Sequence, residues 1–217
     1  MNRSCALVEK SGRHPSAVEA APNYLALTKE RPRAHTNDLA AGEPRTTVVP
    51  EAHILPIRNL RPFASTVSLD REGFSLVRQD TALTDFYDDD EVNAVYYPEV
   101  ERALKEAARA DRVFIFDHTT RRRVSGAEDG RKSIRQPVAR VHVDHAAKSG
   151  KQRVRDPVPD EADELLRGRV QIINLWRPIC DPLRDSPLQV CDASTVSSDD
   201  LVASDLIYRI VSARPIR

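Results

Sequence analysis

Apolar residues recur at regular spacing mainly in the last two thirds of the chain. Val100, Leu104 and Ala107 share one face at helical spacing, and this spacing predicts a helix over residues 98–110. A second, shorter helix is predicted over residues 160–167, which end in a pair of leucines before a glycine. The acidic residues that precede the first helix fit a helix start better than a metal site.

Four further apolar runs predict β-strands, over residues 112–118, 137–145, 169–176 and 201–211. The first is apolar on both faces over four residues, which is typical of a buried strand. Long loops separate these runs, and strands outnumber helices. The pattern therefore predicts an α+β fold that is mainly β rather than a doubly wound parallel sheet.

The first 47 residues show no apolar period and are interrupted by prolines, so we expect a loosely ordered N-terminal segment over residues 1–47. The run from Tyr24 to Leu27 is the exception, because it is apolar enough to dock on the rest of the protein. We expect one folded domain over residues 48–217.

Composition narrows the classes of protein that fit. The 217 residues carry 33 basic and 33 acidic side chains, and this neutral balance argues against a nucleic-acid-binding protein. No apolar stretch is long enough to span a membrane, and three cysteines without metal-like spacing argue against a disulfide scaffold. We therefore expect a cytoplasmic protein. Phosphate-loop, nucleophile-elbow, CxxC and HExxH motifs are absent.

One short motif suggests chemistry. In an extended strand, side chains two residues apart point to the same face, so His142 and Asp144 lie together while Val143 points away. An imidazole and a carboxylate form two thirds of a 2-His-1-carboxylate iron site. The alternative is an ordinary His–Asp pair on a half-exposed strand. His145 would face the opposite side, whereas His118, at the end of the first predicted strand, is a better candidate for a pocket.

The predicted site lies within a basic part of the chain. Residues 121–155 contain eleven lysines or arginines and three acidic residues, a net charge of +8. A positive field of this kind suits a small anionic cosubstrate such as a dicarboxylate. A solvated loop, or a surface for an acidic partner, explains the same charge equally well.

Several motifs together resemble one known family. FDHT at residues 116–119, RQPVARVHVD at 135–144, INLWRPI at 173–179 and CDA at 191–193 are similar to the CmcJ/AsaB-type hydroxylase/desaturase family. The resemblance implies a double-stranded β-helix (jelly-roll) core with flanking helices. It also implies a non-haem iron oxygenase of secondary metabolism, with Fe(II) as cofactor and 2-oxoglutarate as cosubstrate. By this resemblance His142 and Asp144 are metal ligands. His118, Arg140 and Arg177 are candidates for the cosubstrate site or the pocket.

The chain departs from the family pattern in two respects. Val143 and His145 stand where the family usually has Asn and Tyr, and no histidine follows His145 to serve as the third ligand. The resemblance therefore suggests a β-helix that is incomplete at its C-terminal end. Three functions remain open: a hydroxylase or desaturase of a small metabolite, a non-catalytic remnant or accessory subunit, and a zinc hydrolase using His118, His142 and Asp144. A homo-oligomer or a complex with a partner subunit also remains open.

Overall fold

The computed structural model describes residues 16–35, 44–126, 135–180, 183 and 185–207. Contacts divide the chain into two compact units. The larger unit draws its described residues from 1–18, 58–138 and 145–195, and the smaller unit draws them from 19–57, 139–144 and 196–217.

The strands are short. Six of them form three two-stranded sheets, which pair β1 (Ala17–Ala20) with β5 (Leu55–Arg58), β2 (Asn23–Leu25) with β4 (Pro50–Ala52), and β3 (Arg33–His35) with β6 (Asp205–Ile207). The β2–β4 pair is antiparallel, and the β3–β6 pair is parallel. The segment 1–47 thus contributes three strands that its sequence pattern does not show, and Tyr24 lies in β2.

Helices are concentrated in the larger unit. They are α1 (Asp89–Glu91), a π-helical turn (Val92–Tyr96), α2 (Tyr97–Ala108), α3 (Ala147–Arg155) and α4 (Ala162–Leu165). Short 3₁₀ turns occur at Arg61–Phe63 and Ala193–Thr195, and a further one, in the smaller unit, at Ser198–Asp200. None of the helices in the described ranges is long and apolar enough to cross a membrane.

Local chemistry explains where the main helix begins and ends. The Asp88 carboxylate accepts hydrogen bonds from the backbone N–H groups of Asp90 and Glu91, which have no partner within the helix itself. Helix α2 ends at Arg109, whose left-handed backbone (φ 51°) lets its N–H bond back to the last turn. The structure confirms the helix predicted over residues 98–110. It also confirms the helix predicted over 160–167, in a form shortened to one turn.

Few apolar side chains are buried. Among the described residues, the buried apolar side chains are Leu83, Val92, Val100 and Ala162. Val92 and Val100 come from the π turn and from α2, so the core of the larger unit lies along this helix. Glu72 is also buried, and its carboxylate accepts a 2.8 Å hydrogen bond from the backbone N–H of Ser68 and pairs with Arg71.

The fold is mixed helix and sheet, but the strands predicted over 112–118, 137–145 and 169–176 are not strands in the structure. Apart from one β-bridge, which joins Arg140 to Asn23, these segments have no regular secondary structure, and the chain bends at Asp144. An extended segment becomes a strand only when a neighbour pairs with its N–H and C=O groups, and the described residues supply no such neighbour. Of the run predicted over 201–211, residues 205–207 form β6, and residues 208–211 lie outside the described ranges.

The missing sheet neighbours leave apolar side chains at the surface. Phe114 and Phe116 are 42% and 48% exposed, so the segment predicted as a buried strand is buried on neither face. Trp176, in the third segment, is 47% exposed. The prediction of a buried strand over 112–118 is therefore wrong: the run is apolar, but among the described residues no strand pairs with it.

Glu99 of α2 joins the main helix to the chain before it, and we expect its loss to destabilise the fold. Its carboxylate accepts hydrogen bonds from the Ala82 N–H at 2.9 Å and the Thr81 hydroxyl at 2.5 Å. Burial raises the pKa of Glu99, but these hydrogen bonds outweigh it and hold the pKa below its ordinary value of 4.5. We predict that Glu99→Gln lowers the stability at pH 7 by about 1 kcal/mol, a Tm decrease of about 2–4 °C.

The pH dependence of this effect follows from the direction of the pKa shift. A carboxylate whose pKa is lowered by folding contributes stability above its unfolded pKa, and that stability is lost as the pH falls through the folded pKa. The Tm difference between wild type and Glu99→Gln should therefore shrink as the pH is lowered below 4.5. Glu106→Gln, on the same helix, is the control. A difference that is constant from about pH 7 to pH 3 would contradict this account.

Candidate functional site

The extended segment that carries the predicted metal pair is held in place by Asn23. The backbone N–H of Val141 donates to the Asn23 carbonyl at 2.8 Å, and the Asn23 side-chain Nδ2 donates to the Ala139 carbonyl at 3.1 Å. These two bonds hold residues 139–141 extended beside the start of β2. The chain continues through His142 and Val143 and bends at Asp144.

The structure brings His142 and Asp144 together as the sequence predicts. His142 Nε2 lies 3.4 Å from Asp144 Oδ1, and His142 Nδ1 lies 2.7 Å from the backbone carbonyl of Arg140. A carbonyl oxygen can only accept, so Nδ1 carries a proton in this arrangement. The histidine ring is thereby fixed with its Nε2 directed at the carboxylate.

The electrostatics of this pair suit a cation. Both ring nitrogens of His142 face oxygen acceptors, so the imidazolium form is favoured. The hydrogen bond to Asp144 raises the pKa of His142, with help from the Arg140 carbonyl and against the effects of burial and of the Arg140 charge. A divalent metal bound to Nε2 and to the carboxylate would replace the proton between them while Nδ1–H keeps its carbonyl. This is the usual arrangement of a metal-binding histidine, so the two residues fit as ligands.

The pair is incomplete and lies near the surface. The side chains of His142 and Asp144 are 35% and 47% exposed, so both are accessible to solvent in the described structure. In the described ranges, no three His, Cys, Asp or Glu side chains are grouped closely enough to hold a metal. His118 lies in the larger unit, and His142 and Asp144 lie in the smaller unit. His145 instead places its ring edge against Phe116, with centroids 6.4 Å apart.

His118, in the larger unit, belongs to a separate hydrogen-bonded chain. Its Nδ1 lies 2.8 Å from the Tyr97 hydroxyl, and its Nε2 lies 3.2 Å from Asp89 Oδ1. A carboxylate can only accept, so Nε2–H donates to Asp89 and Nδ1 accepts from Tyr97 in the neutral ring. Burial raises the pKa of Tyr97, as do the carboxylates of Asp117 and Asp89, so this hydroxyl keeps its proton. His118 ties the extended segment 112–120 to the start of the main helix.

Arg177 is held near the same helix start, in the larger unit. Its Nη2 donates to the Gln79 carbonyl at 2.5 Å, and its guanidinium carbon lies 5.4 Å from the centroid of the Tyr96 ring. Tyr96 and Tyr97 are consecutive and lie where the π-helical turn meets α2. One of them thus contacts Arg177 and the other His118.

The basic residues around the predicted site are largely engaged in contacts. Arg123 pairs with Asp185, Arg153 with Asp156 and Arg155 with Asp163. Arg140, predicted for the cosubstrate or the pocket, contributes its backbone carbonyl to His142. These ion pairs weaken the positive field that the sequence suggests for residues 121–155, since each carboxylate offsets one charge.

The sequence did not point to three of the residues that shape these sites. Asn23 lies in the segment expected to be loosely ordered, and its side chain contacts a residue 116 positions away. Tyr96 and Tyr97 lie directly before the helix predicted over residues 98–110, outside every predicted element. The one sequence feature that could have indicated a role for them is the position of two tyrosines directly before a proline that begins a helix.

With this geometry established, comparison with known proteins identifies the family. Residues 23–215 match the sequence model of the family described as "Oxidoreductase/YMDC permease-like domain". Several relatives that match are named hydroxylase/desaturase, which agrees with the resemblance carried by the motifs above. The chain belongs to the hydroxylase/desaturase family. This confirms the resemblance and excludes unrelated classes with a similar His–Asp pair.

Two curated fungal relatives illustrate the extent of the match. "Oxidoreductase AN1597" of Emericella nidulans is 33% identical over 193 residues, which cover 87% of this chain and 64% of the relative. "Alpha-ketoglutarate-dependent dioxygenase phiK" of a fungal species is 31% identical over 188 residues, which cover 85% of this chain and 66% of the relative. The chain therefore spans about two thirds of the length of these relatives.

Solved structures with a similar fold also match this chain over only part of their length. The iron and alpha-ketoglutarate-dependent endoperoxidase NvfI superposes with a TM-score of 0.59 at 22% identity. The superposition covers 71% of this chain and 56% of the endoperoxidase. The described architecture is thus part of a fold found in a larger protein.

The raised pKa of His142 gives a direct test of the pair. We predict that, in the metal-free protein, the His142 ring titrates above its ordinary value of 6.5 and that Asp144→Asn moves it back toward that value, because Asp144 is the main cause of the shift. Proton NMR of the histidine ring signals between about pH 5 and pH 9 measures this. Asp163→Asn is the control. An unchanged His142 titration in Asp144→Asn would show that the two side chains do not interact.

Proposed function

We propose that this chain is a hydroxylase or desaturase of a small metabolite that depends on Fe(II) and 2-oxoglutarate. The observation that carries the proposal is the His142–Asp144 pair, with Nδ1 fixed by a carbonyl and Nε2 directed at a carboxylate oxygen. Support comes from relatives named alpha-ketoglutarate-dependent or Fe(II)/2-oxoglutarate-dependent dioxygenases. A secondary metabolite is the proposed substrate class, since the resemblance to the hydroxylase/desaturase family implies it and several relatives carry that name.

For the architecture, we propose part of a double-stranded β-helix. Two observations support it: the similarity to the endoperoxidase fold, and the extended segments 112–118, 137–145 and 169–176, which have the alternation of strands but lack sheet neighbours. In a complete β-helix each of these segments would pair along its length. The exposed apolar faces of Phe114, Phe116 and Trp176 are those that such pairing would cover.

In this proposal His142 and Asp144 hold Fe(II) through Nε2 and a carboxylate oxygen. Bound Fe(II) and 2-oxoglutarate, together with oxygen, supply the oxidising power for hydroxylation or desaturation. The Arg140 carbonyl keeps Nδ1 protonated and the ring oriented. Asn23 keeps the segment extended, so that the imidazole and the carboxylate stay on one side. His118 and Arg177 are proposed pocket residues of the larger unit.

A second candidate function follows from the incomplete site. In the described ranges, His142 and Asp144 have no third metal-binding side chain beside them, and this favours an accessory or non-catalytic member of the family. One imidazole and one carboxylate leave most positions on an iron ion to water, so affinity would be low. For either function we propose a cytoplasmic protein with a small-molecule ligand, alone, as a homo-oligomer or with a partner subunit.

Turnover of 2-oxoglutarate separates the two candidates. We predict that this chain with Fe(II) forms succinate from 2-oxoglutarate near the background rate, because in the described ranges no third metal-binding side chain lies beside the pair. We predict that a chimaera carrying the C-terminal part of a full-length relative forms succinate well above background. His142→Ala and Asp144→Ala in that chimaera should return it to background, whereas His145→Ala should not.

The possible outcomes differ clearly. Turnover in the chimaera that depends on both ligands supports the oxygenase. Background turnover in a folded, iron-loaded chimaera supports the accessory function. Strong turnover by the present chain alone would show that a third ligand is supplied from residues that we have not assigned, and would contradict the incomplete site.

A further inference from the structure

A turn in the larger unit presents a serine shortly after a run of arginines. Ser125 follows Arg121, Arg122 and Arg123, with Val124 between them. In the full sequence it is the one serine or threonine with arginines at both the second and the third position before it. Serine protein kinases of the basic-directed class recognise this spacing, because acidic groups in their peptide groove pair with the two guanidinium groups. This motif is separate from the residues assigned to the proposed oxygenase.

The structure leaves the Ser125 hydroxyl accessible. Ser125 and Gly126 form an exposed turn, in which Gly126 has a left-handed backbone (φ 75°). A Cβ placed on Gly126 would meet no atom of the described residues within 4 Å, so this side of the turn faces open space. The Ser125 hydroxyl has no hydrogen-bond partner in the described part of the chain, so a kinase can reach it without breaking such a contact.

The backbone before the turn is held by the side chain of Gln136. The Val124 N–H donates to Gln136 Oε1 at 3.2 Å, and Gln136 Nε2 donates to the Val124 carbonyl at 3.1 Å. Two residues earlier, the Arg122 N–H donates to the Arg135 carbonyl at 3.0 Å. These bonds engage the main chain and leave Arg122 and Arg123 exposed, so the charged groups that a kinase recognises remain available.

Arg123 ties the turn to the loop that contains Asp185. Its Nε donates to Asp185 Oδ2 at 2.5 Å, and its Nη2 donates to the Ser186 hydroxyl at 2.8 Å. The side chains of Arg123 and Asp185 are 60% and 51% exposed, and an exposed ion pair of this kind is weak. A phosphoserine carries a charge of about −1.5 to −2 at pH 7 and three acceptor oxygens, so it competes well with a carboxylate for a nearby guanidinium.

We propose that Ser125 is a phosphorylation site for a basic-directed protein kinase, and that the phosphate takes Arg123 away from Asp185. In this reaction the Ser125 Oγ forms a bond to the γ-phosphorus of ATP, and the bond from that phosphorus to the oxygen bridging to the β-phosphate breaks. ADP leaves with that oxygen, and the hydroxyl proton passes to a base of the kinase. The loop at Asp185 then loses its tie to the turn, so phosphorylation controls a contact within the larger unit.

Phosphorylation of the full 217-residue chain tests this assignment directly. The probe is the catalytic subunit of the cyclic-AMP-dependent protein kinase, which selects arginines at these two positions, together with Mg²⁺ and ATP. We expect one phosphate per chain by intact mass spectrometry, located at Ser125 by fragmentation of its peptide. A synthetic peptide with the sequence of residues 119–128 gives the reference rate. The folded chain should react within about tenfold of it, because releasing an exposed ion pair costs little.

Substitutions connect the incorporation of phosphate to this motif. Ser125→Ala should lose it. Ser133→Ala is the matched control and should keep it, because Ser133 has an arginine only at the second position before it. Arg122→Gln should slow the reaction at Ser125 by about tenfold or more, since one of the two recognised charges is gone. Arg102→Gln, at an exposed arginine outside the motif, should not slow it.

A phosphorus NMR titration of the phosphorylated chain tests the response of Arg123. A nearby guanidinium favours the doubly charged phosphate, so the phosphoserine should titrate below its ordinary pKa of about 6. Arg123→Gln should return the titration to that value, whereas Arg102→Gln should leave it where the wild type has it.

Three results would overturn the proposal. The first is a folded chain that takes up no phosphate at Ser125, or does so far more slowly than the peptide. The second is uptake that Ser125→Ala does not reduce. The third is a phosphoserine whose titration is the same in the wild type and in Arg123→Gln. These results concern the larger unit alone and are independent of whether the chain turns over 2-oxoglutarate.

Discussion

The pairing of Asn23 with residues 139–141 is the interaction on which the candidate metal site depends. One backbone and one side-chain hydrogen bond from the same residue hold this segment extended. The chain then bends at Asp144 and brings the His142 and Asp144 side chains to 3.4 Å, and the Arg140 carbonyl fixes which ring nitrogen faces the carboxylate. A contact between distant parts of the sequence thus anchors a short motif.

A second constraint explains the surface of the protein. Extended segments bury their apolar side chains only when neighbouring strands pair with their backbone and a second layer covers the face. Residues 112–118 and 169–176 have no strand neighbours among the described residues, and Phe114, Phe116 and Trp176 remain exposed. The chain spans between about half and two thirds of the length of its curated relatives.

The sequence predicted best those features that depend on local periodicity. The helix over 98–110 follows from the spacing of Val100 and Leu104, and the meeting of His142 with Asp144 follows from the period of two. Strand pairing was not predictable, because alternation shows which face is apolar but not which segment lies beside it. The directions of the Tyr96 and Tyr97 side chains could not be predicted either. A π-helical turn changes the angle between successive side chains, and it has no clear sequence signal.

The central claim is that His142 and Asp144 together bind a divalent metal. Its most direct test is a titration of the protein with Mn²⁺, a paramagnetic ion that carboxylate and imidazole sites accept, followed by NMR of the histidine ring protons. The account predicts that the His142 signals broaden at the lowest Mn²⁺ concentrations, before those of His118, and that Asp144→Asn removes this preference. Broadening that reaches His118 first, or that affects all histidines equally, would contradict it.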